Sequence, residues 1–160
     1  MRKLFGVVMA TVVVMLVGGS TVTFADRAYH SENLPLSDSG LEGHPDLQAG
    51  HVVNIHPNGP INFAHERYMV NGASPNTLYQ VVIEVHESID CDTEVPGLLP
   101  TATLATNDKG NGHAGVTLPP GLIDDLGLHG VTLTIRWSLR VGDENGPEAY
   151  GTECTEVLLD

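Results

Sequence analysis

The chain of 160 residues carries 20 Asp and Glu against 7 Lys and Arg, a formal charge of −13 at pH 7, and is 41% hydrophobic. That length suits one domain with a sufficient core of its own, without a structural metal or several disulfides. A surface this acidic repels nucleic acid and anionic lipid headgroups and offers no basic patch, so neither is expected as a partner.

Arg2 and Lys3 precede an apolar run from Leu4 to Val17, a Gly18-Gly19-Ser20 break, and a small-residue site at Thr23-Phe24-Ala25 before Asp26. A short positive region, a brief apolar stretch and a small-residue site together predict a secretory signal peptide over residues 1–25. The rival is an uncleaved anchor, since no charge interrupts Leu4 to Ala25; the polar break favours cleavage, and no stable membrane anchor is expected. No cysteine lies near the site, which argues against a lipid anchor. The expected location is secreted or extracytoplasmic, at a cell surface or in a periplasm-type compartment. Losing Arg2 and Lys3 takes the formal charge from −13 to −15 and leaves Lys109 as the one lysine. In an oxidising compartment Cys91 and Cys154 are expected to pair, a bridge worth roughly 4 kcal/mol in the loop-entropy description.

Residues 26–50 lack sustained periodicity and are rich in Pro, Gly, Ser and acids, which predicts a flexible or draped N-terminal extension. From His51 the pattern becomes short strands between turn residues, giving one domain over residues 51–160. His51 to His56 is the first, stopped by Pro57-Asn58-Gly59-Pro60. Ile61 to Val70 is the second, predicted to be bent, because its alternation changes phase between Phe63 and Tyr68 as a bulge would require. Leu78 to Glu87 sends Tyr79, Val81, Ile83 and Val85 one way, and Gln80, Glu84 and His86 the other. Leu99 to Thr106 and His113 to Leu118 flank Asn107-Asp108-Lys109-Gly110-Asn111-Gly112, a hairpin signal. Pro119 to Gly130 reads as a loop with room for one helical turn at Leu122 to Leu126. Val131 to Val141 alternates with Trp137 on its apolar side, and a last strand runs from about Tyr150 to Leu159. Strands with one apolar face pack as two sheets, so the expected fold is an all-β, antiparallel Greek-key β-sandwich of about seven to eight strands.

The order Val85-His86-Glu87, Asp90-Cys91, a glycine-rich turn at residues 107–112, a long strand at Val131 to Arg140, and Cys154 in the final strand resembles the Cu/Zn superoxide dismutase sandwich. The resemblance covers most of His51 to Leu159 and implies a Greek-key scaffold with an intrasubunit disulfide. It does not carry the metal chemistry across. Glu84 stands where the family has the first histidine of a His-x-His pair, and only His86 matches. No histidine follows in Asp92 to Leu99, Arg136-Trp137-Ser138 offers none, and Ala149 to Glu153 lacks the anion-guiding arginine. One imidazole cannot hold copper through both oxidation states, so superoxide dismutation is not expected. Gly72-Ala73-Ser74-Pro75-Asn76-Thr77-Leu78-Tyr79-Gln80-Val81 resembles, in turn, the turn-into-strand segment of fibronectin type III and other immunoglobulin-like domains. There a tyrosine hydroxyl ties back to the preceding backbone.

Eight histidines invite a metal reading. Glu84 and His86 share a strand face, and His65 or His113 could join them from adjacent strands; the plainer reading of all four is polar positions facing solvent. Asp90, Asp92 and Glu94 have the every-second-residue spacing that opens a calcium loop. Val95 holds the position that loop gives to glycine, and exposed loop acids explain these residues as well. No Gly-x-Ser-x-Gly elbow occurs, and the aromatic content of 5% offers little to stack a sugar. No catalytic residue is assigned and no cofactor is expected beyond an adventitious divalent cation. Two functions compete: a secreted non-catalytic module binding an unknown extracellular partner, and a metal-binding or redox module on a dismutase-like scaffold.

Overall fold

The computed structural model describes residues 30–56, 64–86, 90–91, 97–119, 121–128 and 130–159. The expected signal peptide, and Asp92 and Glu94 of the calcium reading, lie outside them. Among the described residues ten strands form two antiparallel sheets, the all-β sandwich that the alternation implied. The four-stranded sheet runs β1 (His30–Pro35), β3 (Ala49–His56), β4 (Ala64–Asn71), β7 (Gly112–Leu118) in that order. The six-stranded sheet runs β2 (Ser37–Asp38), β9 (Glu148–Gly151), β8 (Val131–Val141), β5 (Leu78–His86), β6 (Gly97–Ala105). Its last member, β10 (Thr155–Leu159), pairs with β8. One short helix, α1 (Gly121–Leu126), occupies the predicted helical turn.

The core is the meeting of two inward-facing sets. Val52, Tyr68 and Val70 come from the four-stranded sheet, and Tyr79, Val81, Ile83, Leu104, Trp137 and Leu139 from the six-stranded one. Trp137 is buried on the register its alternation predicted. β4 and β7 are neighbours although β5 and β6, which lie between them in sequence, belong to the opposite sheet. This crossing between sheets is a Greek-key type of connection.

Several details depart from the sequence reading. Residues 30–50 are not a loose extension: β1 pairs with β3 from His30↔His56 to Pro35↔His51, and β2 pairs with β9 in the other sheet. Leu36, between them, is buried, and Tyr150 donates its hydroxyl to the Pro45 carbonyl at 2.9 Å. A polar, turn-rich sequence can still be anchored when a few apolar side chains reach the core. The final strand is two, because Thr152 breaks it: its amide donates to the Trp137 carbonyl, and its hydroxyl accepts from the Trp137 amide. With β1 and β2, this raises the strand number from the expected seven or eight to ten.

β4 keeps one phase from Ala64 to Asn71, with Ala64, Glu66, Tyr68 and Val70 inward. Phe63, on which the expected phase change rests, lies outside the described residues, and Glu66 is an acid in a core position. Finally, the turn at residues 107–112 joins strands in different sheets. Among the described residues β6 and β7 share β-pairing only at the bridge Thr106↔Gly112, so the segment is a corner rather than a hairpin. The Tyr79 hydroxyl also departs from the immunoglobulin-like expectation, lying 3.2 Å from His44 Nδ1 rather than on the preceding backbone.

Candidate functional site

Glu84 and His86 come together, with His86 Nε2 3.6 Å from Glu84 Oε2, both side chains almost fully buried. They do not stand alone. Arg140 donates to Glu84 Oε1 at 2.7 Å, the Ser138 hydroxyl donates to the same oxygen at 2.5 Å, and Arg136 Nε lies 3.6 Å from Oε2. Arg136 also donates to Glu148 on β9. The register places these side chains side by side, since Glu84 pairs with Arg136 and Val82 with Ser138 across β5 and β8. Burial pushes the Glu84 pKa up, but the Ser138 hydroxyl, Arg140 and Arg136 outweigh it and hold the carboxyl below its ordinary range. At Glu148 burial prevails over Arg136, and the pKa rises.

Two guanidinium groups therefore stand against the carboxylate that a metal would need. Their charge repels a dication, and the hydrogen bonds from Arg140 and Ser138 occupy Oε1. The cluster is built as an ion-pair network. His65 and His113 do not join it, since they sit on β4 and β7 in the opposite sheet. Among the described residues no group of three or more His, Cys, Asp or Glu converges to hold a metal ion. Asp90 is exposed beside Cys91, which is bonded to Cys154 with a Cα separation of 6.2 Å.

Glu66 is the second buried acid. The Tyr68 hydroxyl donates to Glu66 Oε2 and lies 2.8 Å from Thr101 Oγ1. Burial raises the Glu66 pKa by more than Tyr68 and the approaching Trp137 indole lower it. The indole N–H itself makes no hydrogen bond of ordinary geometry. Glu66 and Trp137 wall an apolar cavity of about 90 Å³, closed by Leu122 and Leu126 of α1. Ligand pockets are usually several times larger, roughly 300–1,000 Å³, so this space suits packing better than recognition.

The outer face of the four-stranded sheet is different. His51 and Val53 of β3, Arg67 and Met69 of β4 and His113 of β7 line an open groove of about 610 Å³, rimmed by Asn107 and Asn111. None of its lining residues is a carboxylate, although the chain has 20. Here His65 is already engaged. Arg67 Nε donates to His65 Nε2 at 3.0 Å, so Nδ1 carries the proton and donates to Thr117 Oγ1 at 2.9 Å. Arg67 can lean that way because Gly115 opposes it in the register, and a Cβ there would stand 3.3 Å from Arg67 Cδ.

Sequence reasoning found His65 and His113 but set them beside the wrong partners, and it passed over Met69. Their common face was readable from alternation; their common sheet was not. No known protein family, curated protein or solved structure matches the chain.

Proposed function

We propose that the chain is an extracytoplasmic, non-catalytic binding module that holds its ligand on the outer face of the four-stranded sheet. The observation that carries this reading is the groove of about 610 Å³ lined by His51, Arg67, Met69 and His113 and free of carboxylates. A concave face lined by apolar side chains with a few polar groups among them is the usual form of a ligand site. The buried Glu84 cluster supports the same reading from the other side, because its carboxylate is taken up by Arg136, Arg140 and Ser138 rather than offered to a metal or substrate. The Cys91–Cys154 bridge fits an oxidising compartment, as does the signal peptide expected over residues 1–25.

Histidine side-chain NMR on the purified exported protein tests this, with metal ions and small organic ligands added in turn. The expected result is a saturable shift of the His51 and His113 resonances with His86 unmoved. Shifts confined to His86 would instead support a metal or redox module at the Glu84 cluster.

A further inference from the structure

We propose that His51, Met69 and His113 bind one copper(I) ion on the outer face of the four-stranded sheet, a reading that rests on this face being the ligand site. The argument begins with register. His51 is the direct cross-strand partner of Met69, and Met69 of His113, so the three form one row across β3, β4 and β7. Val52, Tyr68 and Val70 point into the core, which turns all three members of the row outward. Neighbouring strands lie about 4.8 Å apart, so the two imidazoles rise from backbone roughly 10 Å apart, with the thioether between them. Each imidazole reaches inward over about half that span, and their nitrogens can converge above the sulfur.

The three side chains are available. Met69 is 49% exposed, a large apolar residue with no core to fill. Neither His51 nor His113 makes a hydrogen bond or ion pair with a described residue, in contrast to His65, which Arg67 and Thr117 occupy.

The donor set then selects the ion. Two neutral imidazoles and a thioether are soft-to-borderline ligands that suit copper(I), whereas calcium and magnesium require oxygen donors. Zinc sites draw on thiolate, imidazole and carboxylate, and the groove has neither a carboxylate nor a cysteine. Arg67 stands in the next row of the same face, and its positive charge also favours a monovalent over a divalent ion.

The test is copper(I) competition against a coloured chelator, under nitrogen with ascorbate, on the full exported protein. One copper per chain is expected to be retained. Met69→Leu and His113→Gln are each expected to weaken retention by at least about tenfold, while His65→Gln leaves it unchanged. X-ray absorption should show a sulfur neighbour that Met69→Leu removes. Because Met69 and His113 are exposed, both variants should melt like the parent, which separates loss of the site from loss of the fold. Absence of stoichiometric copper(I), or retention indifferent to both substitutions, would overturn the proposal. If another ligand still shifts His51 and His113 while copper(I) does not bind, the copper assignment fails and the binding-module reading stands.

Discussion

Glu66 and Glu84 are both 2% exposed, yet their surroundings drive their protonation in opposite directions. Glu66 meets a tyrosine hydroxyl and an apolar cavity, so burial prevails and its pKa rises. Glu84 meets two guanidinium groups and a serine hydroxyl, and its pKa falls. The consequences for stability have opposite signs. A raised folded pKa gives Glu66 a contribution that is complete below the ordinary carboxylate value of 4.5 and is lost as pH rises through the folded value. A lowered one gives Glu84 a contribution present above 4.5 and lost as pH falls through the folded value. Glu66→Gln keeps the shape and removes the titration. Its melting temperature is therefore expected to fall less than the parent's between pH 5 and pH 8, the window above the ordinary value. Thermal unfolding followed at both pH values decides this, and parallel profiles for the two proteins would contradict a protonated Glu66.

At the scale of elements, the corner between β6 and β7 binds the two sheets at one end of the sandwich. Asn107 accepts the Lys109 and Asn111 amides on its side chain, and Ala73 donates its amide to the Gly110 carbonyl. Thr106 extends the tie by accepting the Thr77 amide and donating to the Ser74 carbonyl, so the corner holds the turn that leads into β5. Gly110 is needed twice over. Its φ is +73°, and a Cβ on it would stand 1.9 Å from the Ala73 carbonyl oxygen. Gly110→Ala is expected to cost about 2 kcal/mol or more, because left-handed backbone strain and backbone displacement add. Denaturant unfolding would register this as a lower midpoint at unchanged slope.

For the whole molecule, the bond between Cys91 and Cys154 links the end of β5 to the start of β10 across 63 residues. Removing it in a Cys91→Ser/Cys154→Ser double variant is expected to lower stability by roughly 4 kcal/mol, chiefly by freeing the unfolded chain. Urea unfolding of the double variant and the parent measures the difference; equal midpoints would mean that the bridge constrains little. The same scale explains how residues 30–50 are held. β1 adds to one sheet and β2 to the other, so a segment of weak intrinsic pattern is anchored at both layers.

The sequence by itself determined the class of this protein. Alternation through Leu78 to Val85 and Val131 to Val141 gives each strand one apolar face, and strands with one apolar face pack as two sheets. Trp137 in the core followed from the same period. Two cysteines and an expected export signal were enough to expect their bond. Tertiary structure alone decided which strands are neighbours, because alternation specifies a face and not a partner. That is why Glu84 and His86 could be placed together, while His65 and His113 were set beside them although they belong to the other sheet. It is also why Arg136 and Arg140, read in sequence only as positions of a long strand, turn out to face Glu84. The row His51–Met69–His113 joins residues up to 62 positions apart, brought into line by two registers that depend on packing between distant segments. Local pattern fixes which way a side chain points; only the long-range pairing of strands fixes what it meets.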